Sequence, residues 1–390
     1  GPITRNAGGT VNFTLPSNGA ISTSQTNTNG ILGGYATVGG NTWATVPNGT
    51  ILGLSGTFYS NSFTSPNVNL DVPNGGGSLS VNPNSIRFND PHANPVTIAT
   101  EQAITSGGIL VTSTVGSNLS SIDGGTLKGA SGVDLVIIQN NSNARLKIGS
   151  AIADNGAATG LTKAGPGVLT LTGNNTYTGA TAITAGTLTV DGTISTSASV
   201  LVGSGATVAG SGAVSTLTGS GMVAPGTNGA GILRAQSLDG SAGTDFAFEF
   251  TQLSPTYSSA TASGNDLLRL SGAAPFVMRL GGANLVAINF LGGTGPALGQ
   301  TFTGGFFTDL PTDFSSMVIG ANFIGTFNGG ALPNGYTIRF DGMVNATANF
   351  ASGSPVSGRV AQVTVVPEPE TWAMLFGGAC LTFGLRRLRR

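Results

Sequence analysis

The side chains of this sequence that could perform acid–base chemistry are four aspartates in its central part. They are Asp123, Asp134, Asp154 and Asp191, at unequal separations along the chain. If one structural repeat were about as long as the Asp134–Asp154 step, these two carboxylates would stack, and glycan hydrolysis needs such a pair. The competing interpretation is that Asp154 and Asp191, in Asp-Asn-Gly and Asp-Gly sequences, form turns.

The remaining residues offer little for a metal or cofactor. His92 is the only histidine and lies in the turn-prone stretch Asn89-Asp90-Pro91-His92, which predicts an exposed loop. The single cysteine, Cys380, stands far away in an apolar segment, so no second His or Cys completes a metal site. The sequence also has no nucleophile elbow, P-loop or dinucleotide motif. We therefore expect no catalytic residue, no metal and no cofactor.

The composition indicates a β-rich chain. Of the 390 residues, 63 are glycine, 39% are hydrophobic and only 8% are charged, with a net charge of -1. Disordered chains combine low hydrophobicity with high net charge, so a packed core is expected here. The shortage of residues that favour helices argues against long helices. Four of the twelve arginines lie in the last five residues, which leaves no basic stripe for nucleic acid.

Short alternating segments bounded by turn residues predict how the strands are arranged. Alternation occurs at 168–172 and 187–190, and the apolar residues Leu169, Leu188 and Val208 follow one another at almost equal spacing. A period of about 20 residues with Gly and Asn corners is typical of a parallel β-solenoid, in which each coil buries its apolar face on the next. An antiparallel sandwich with tight hairpins also fits this turn spacing.

Residues 160–190 resemble the autotransporter-associated β-strand repeat. They match its Leu-Thr-Lys, Gly-x-Gly, Leu-Thr-Leu, Gly-Asn-Asn-Thr-Tyr-Thr-Gly and Ala-Gly-Thr-Leu elements between Leu161 and Leu188. The resemblance implies a right-handed parallel β-helix over residues 76–239, with about eight coils at ~20 residues each. Autotransporters end in a membrane barrel, whereas this chain ends differently, so the resemblance does not imply self-translocation.

Two further β regions flank the predicted helix. Residues 1–75 contain candidate strands at 11–15 and 50–54 and predict an N-terminal cap or opening coils. Residues 240–365 are richer in phenylalanine, with a clean alternation at Phe246, Phe248 and Phe250. We expect them to form a closing β layer that protects the last edge of the solenoid from aggregation.

The C-terminal residues 366–390 have three physically distinct parts. The first is Val366-Pro367-Glu368-Pro369, where the prolines favour a stiff, extended and exposed backbone. The second, 372–385, has no charge and as a helix would be about 21 Å long, short for a ~30 Å membrane core. Its anchor residues are Trp372, Ala373, Met374, Leu375, Phe376 and Leu385. The third is a cytoplasmic stop under the positive-inside rule, formed by Arg386, Arg387, Arg389 and Arg390.

This order of elements resembles the PEP-CTERM sorting signal of exopolysaccharide-producing Gram-negative bacteria. The resemblance implies an exported protein with a short C-terminal transmembrane helix that is held transiently in the inner membrane. An exosortase would then cut it near the Pro-Glu-Pro element. We thus expect a non-enzymatic structural or adhesive protein of the cell surface or extracellular matrix, with exopolysaccharide as a candidate partner. The alternative is a polysaccharide-degrading β-helix enzyme that uses Asp134 and Asp154.

Overall fold

The chain is mainly β, as its composition predicts. The computed structural model describes residues 1–227, 229–251, 264–271, 285–291, 295–308, 322–328, 330–332, 336–349 and 355–367. Within these residues the regular structure consists of 32 strands and three short 3-10 helices, at Pro47–Gly49, Gly56–Phe58 and Ser113–Val115.

The first half of the strands lies before residue 172. These strands are β1 (Val11–Phe13), β2 (Ala36–Val38), β3 (Thr42–Thr45), β4 (Leu52–Gly53), β5 (Tyr59–Ser60), β6 (Asn69–Val72), β7 (Gly77–Leu79), β8 (Ser85–Phe88), β9 (Asn94–Ala103), β10 (Gly108–Val111), β11 (Ser120–Lys128), β12 (Leu135–Gln139), β13 (Leu146–Ile148), β14 (Ala151–Ala153), β15 (Leu161–Ala164) and β16 (Val168–Leu171).

The second half continues to residue 367. These strands are β17 (Thr181–Ile183), β18 (Thr187–Val190), β19 (Thr193–Ile194), β20 (Val200–Val202), β21 (Thr207–Gly210), β22 (Ala213–Gly219), β23 (Met222–Pro225), β24 (Ile232–Asp239), β25 (Asp245–Phe250), β26 (Leu267–Leu270), β27 (Leu285–Phe290), β28 (Thr301–Thr308), β29 (Asn322–Phe327), β30 (Gly330–Ala331), β31 (Tyr336–Asn349) and β32 (Pro355–Pro367).

Two long sheets are built from alternate strands along the chain. Sheet 1 runs in the order β5-β6-β8-β10-β12-β15-β17-β20-β22-β24-β26-β28-β32-β31, and β19 joins it through β22. Sheet 2 runs in the order β7-β9-β11-β13-β16-β18-β21-β23-β25-β27-β29-β30, and β14 joins it through β11. Each turn of the chain therefore adds one strand to each sheet, which is how a solenoid grows.

The register confirms the stacking that the sequence period predicts. Leu169 pairs with Leu188, and Leu188 pairs with Val208, in parallel ladders. All three side chains are fully buried. The antiparallel sandwich is therefore wrong for this segment, because neighbouring strands run in the same direction.

Coil length varies strongly outside this segment. Ile122 stacks on Ile148 in a long coil, whereas Val208 stacks on Val223 in a much shorter one. The coil that brings Phe246 onto Val286 is longer than either. Between residues 76 and 239 the main path of each sheet, without the side strands β19 and β14, has eight strands among the described residues, which agrees with the predicted number of coils.

The parallel stack continues beyond residue 240. Strands β25, β27 and β29 extend sheet 2, and β26 and β28 extend sheet 1. Phe246, Phe248 and Phe250 alternate inward as expected, and the rings of Phe246 and Phe248 lie edge-on to Phe306 at 4.9 and 5.1 Å. The antiparallel strands β32 and β31 then cover the last edge of sheet 1.

The hydrophobic core lies between the two long sheets and runs through the whole stack. Each inward column consists of residues that face their counterparts in the coil before and after, such as Ile86, Ile109 and Ile137 in sheet 1. This arrangement buries aliphatic side chains without disulfides, because every coil shields the next.

Residues 1–54 form a separate N-terminal lobe on the outer face of sheet 1. Strands β1 to β4 make a four-stranded sheet with its own small core. Trp43, fully buried, packs on Leu110 and Ile138, which point outward from sheet 1. The lobe thus covers the side of the stack, and stacking itself begins with β5.

No helix among the described residues is long and apolar enough to cross a membrane. The predicted membrane segment, 372–385, and the arginines that follow it lie outside the described residues.

Candidate functional site

Lys163 occupies an unusual position at a corner of the repeat. It lies in β15, stacked between Ile137 and Ile183 of neighbouring coils, and its side chain is fully buried. Its Nζ donates to the carbonyl oxygens of Ala164 at 3.1 Å, Gly165 at 2.8 Å and Ala185 at 2.9 Å. Burial lowers the pKa of Lys163 to about 7. This lysine therefore joins the corners of two successive coils.

Glycines at the same corner are required by close backbone approach. Gly165 has a φ of +78°, and a Cβ there would lie 2.5 Å from the carbonyl oxygen of Gln139. Gly186, one coil later, has a φ of +65°, and its Cβ would lie 2.5 Å from the carbonyl oxygen of Gly165. A larger residue at either position would force the coils apart.

Asn175 links three consecutive coils on the opposite side of the repeat. Its Oδ1 accepts from the amide of Ile152 at 2.9 Å, and its Nδ2 donates to the carbonyl oxygens of Gly173 at 3.0 Å and Thr193 at 2.9 Å. The side chain is almost fully buried, so each of these bonds replaces lost water contacts.

A buried chain of hydroxyl groups completes the repeat. The Tyr177 hydroxyl lies 2.8 Å from Oγ1 of Thr181, which in turn lies 2.9 Å from Oγ of Ser197 in the next coil. All three side chains are buried. The polar residues of the repeat thus serve coil-to-coil bonding.

The predicted stacking of Asp134 on Asp154 is wrong. Leu135 pairs with Leu161, so the residue beside Asp134 in the next coil is Gly160. Asp154 follows β14 in sheet 2 and accepts from the amides of Thr159 at 2.7 Å and Thr178 at 2.9 Å. The turn-forming interpretation of Asp154 is therefore confirmed, and the irregular coil length explains the error.

Asp191 and Asp123 bond to later coils of the stack. Asp191 Oδ1 accepts from the amide of Ser211 at 3.3 Å and from Oγ1 of Thr227 at 2.7 Å. Asp123 pairs with Lys147 on the surface of sheet 2 at 2.9 Å. Among the described residues there is no group of three or more His, Cys, Asp or Glu side chains that could hold a metal ion.

Asp134 instead fastens the N-terminal lobe to the stack. Both of its carboxylate oxygens accept from the guanidinium of Arg5 at 2.6 Å, and Thr162 also donates to it. Burial alone would raise the pKa of Asp134, but the hydrogen bonds from Arg5 and Thr162 outweigh it, so the pKa is lowered. A groove of about 520 Å³ borders this pair, with Gly160, Ala182 and Leu201 in its floor.

A second arginine strengthens the same attachment. Arg87 forms two bonds with Asp71, at 2.9 and 2.7 Å, and donates to the carbonyl oxygen of Asn41 in the lobe at 3.2 Å. Its guanidinium lies over the ring of Tyr59, 3.6 Å from the centroid. Sequence reasoning missed both arginine contacts, because their partners lie far apart in the chain and follow no period.

The sorting motif is only partly within the described residues. Val366 and Pro367 are the last residues of β32, where they pair with Thr337 and Tyr336. Val366 is half-buried rather than exposed. Glu368, Pro369 and all later residues, including the predicted anchor and stop, lie outside the described residues.

One segment of the chain matches a known repeat family. Residues 161–190 match the Passenger-associated-transport-repeat. The match confirms the repeat predicted from the sequence and coincides with the segment held by Lys163, Asn175 and Tyr177.

A longer similarity extends beyond the repeat. Over 190 residues the chain is 33% identical to the protein named Adhesin BmaC autotransporter of Brucella suis biovar 1 (strain 1330). This alignment covers 45% of the chain but only 5% of that much longer protein. Together the two matches point to a non-enzymatic protein.

Proposed function

We propose that this chain is an exported, adhesin-like surface protein built on a right-handed parallel β-helix. The main support for the proposal is that the buried polar side chains of the repeat form structural hydrogen bonds that connect the coils. Lys163 and Asn175 bond directly to neighbouring coils, and Tyr177 does so through Thr181, which contacts Ser197 in the next coil. The similarity to an autotransporter adhesin supports the same conclusion.

The mechanical basis of this function is a stiff spacer. Each coil is joined to the next by two ladders and by buried polar bonds, so the stack keeps its length and resists proteases. Its outer surface carries few charges, which suits weak, repeated contacts with exopolysaccharide through hydroxyl and amide groups. The polysaccharide-degrading alternative loses its basis, because Asp134 and Asp154 do not form a pair.

We also propose that residues 366–390 direct export and anchoring. The order of Val366-Pro367-Glu368-Pro369, the uncharged segment 372–385 and the terminal arginines supports processing by an exosortase after a transient stay in the inner membrane. The mature protein then lies at the cell surface or in the extracellular matrix.

The experiment compares the full chain with a variant lacking residues 366–390 in cells that contain an exosortase. We expect the deletion to abolish retention at the surface, and mass spectrometry of the full chain to show an end near Pro367. Glu101→Gln, which removes one acidic charge far from the signal, is the control. Equal retention of the full chain and the deletion variant would contradict the anchoring role. The adhesive role is tested separately, and it would be contradicted if cells that lack the protein attached as well as cells that contain it.

A further inference from the structure

The loop between β8 and β9 contains the only Asp–Pro bond in the sequence, between Asp90 and Pro91. An X–Pro bond is a tertiary amide, and its nitrogen carries no hydrogen. When such a nitrogen leaves a carbonyl carbon, it does so as a secondary amine.

The carbonyl oxygen of Asp90 accepts two hydrogen bonds. One comes from the amide of His92 at 2.9 Å, and the other comes from Nδ2 of Asn94 at 3.2 Å. Asn94 is fully buried at the start of β9, so its amide group is held in place. Two donors on one carbonyl oxygen stabilise the negative charge that develops there during attack on the carbonyl carbon.

The side chain of Asp90 is paired with His92. Nδ1 of the imidazole contacts Oδ1 of the carboxylate, and both groups remain accessible, with 54% of the histidine and 34% of the aspartate side chain exposed. This pairing leaves Oδ2 of the same carboxylate to act as a nucleophile. His92 directly follows Pro91 in the chain, which makes its imidazole the candidate proton donor for the Pro91 nitrogen.

Bonds from the neighbouring coil hold the loop on both sides of the Asp–Pro bond. Nδ2 of Asn118 donates to the carbonyl oxygen of Pro91 at 3.0 Å, and Oγ1 of Thr112 donates to Oδ1 of Asn89 at 2.7 Å. Both of these side chains are uncharged, so Asp90 and His92 are the titrating groups of the loop. A fixed backbone keeps the carboxylate close to its own carbonyl carbon.

We propose that the folded chain cleaves itself between Asp90 and Pro91. Oδ2 of the Asp90 carboxylate attacks the Asp90 carbonyl carbon and closes a five-membered cyclic anhydride. The bond from this carbon to the Pro91 nitrogen breaks, and the nitrogen takes the proton of the His92 imidazolium and leaves as a secondary amine. Water then opens the anhydride to two carboxyl groups and returns a proton to His92, so that the sum is hydrolysis of one peptide bond.

Cleavage here does not separate the two fragments. Strand β8, before the cut, pairs with β10, after it, from Ser85 to Phe88, and the N-terminal lobe is bonded to Asp134. The product is therefore a nicked but assembled stack. Its two chains, 1–90 and 91–390, part only when the protein is denatured.

The test uses the purified full chain, incubated across a pH series and then analysed by denaturing electrophoresis and mass spectrometry. We expect two fragments, the larger one starting at Pro91. Recovery of only the uncut chain from the folded protein overturns the proposal.

Variants and an unfolded reference separate this reaction from simple acid lability. Asp90→Ala should abolish cleavage, and His92→Gln should slow it by about tenfold or more, since general acid catalysis contributes about 100-fold or more. Both residues are accessible, and circular dichroism verifies the fold. Asp123→Asn, an aspartate outside the loop, should cleave at the normal rate. Equal rates for the folded chain and the chain unfolded in urea overturn the proposal.

Discussion

Replacing Lys163 by methionine tests whether the buried amino group holds the corners of the repeat together. The substitution keeps most of the side-chain volume but removes the donor for the carbonyl oxygens of Ala164, Gly165 and Ala185. Each buried acceptor left without a partner costs about 1–3 kcal/mol. Because methionine does not require the desolvation of an amine, the folded state recovers part of this loss of stability. We expect a net destabilisation of about 3 kcal/mol.

The assay is urea unfolding followed by circular dichroism, together with amide hydrogen exchange over residues 161–190. A solenoid opens locally, so exchange should increase first in the coils on either side of Lys163. Lys147→Met is the matched control, because Lys147 is partly exposed and pairs with Asp123 on the surface. Its loss should cost less than about 1 kcal/mol. If both variants unfold at the same urea concentration, the bonding role assigned to Lys163 is refuted.

Two further predictions concern charge. Burial lowers the pKa of Lys163 from 10.5 to about 7, so the unfolded chain binds this proton more tightly than the folded chain does. The free energy of unfolding should therefore increase as the pH rises from about 7 to about 10. In urea unfolding experiments, the Lys163→Met variant should not show this increase. Asp134→Asn removes the carboxylate charge opposite Arg5 and should loosen the N-terminal lobe by about 2 kcal/mol. Faster proteolysis of the exposed segment 55–58 would report this, and cleavage no faster than in Asp123→Asn would contradict it.

The sequence predicted the solenoid where its signal is regular. In the coils around Leu169, Leu188 and Val208, each repeat has nearly the same length, so alternation and turn residues define the stacking directly. The prediction that Asp134 stacks on Asp154 assumed the same repeat length in the preceding coil. That coil is longer, because Leu135 pairs with Leu161. A local period carries no information about the lengths of neighbouring coils.

The attachment of the N-terminal lobe could not be predicted for a different reason. Trp43 and Arg5 bind residues of sheet 1 that are distant in the sequence, and these contacts have no periodic signal. The sequence around Leu110 also does not show that this outward-facing side chain is covered by Trp43 of the lobe. The buried role of Lys163 had one visible signal, the Leu-Thr-Lys element of the repeat, but residue type alone suggested a solvated charge.

The direction of the ladder bonds determines how the molecule responds to tension. Hydrogen bonds between stacked coils point along the axis of the stack, so a force that pulls its two ends apart loads the coils in series. The coils then peel off one after another, and a coil as long as that from Leu169 to Leu188 releases about 60 Å of extended chain. A cell tethered through such a molecule would be slowed by gradual lengthening rather than held until a single rupture.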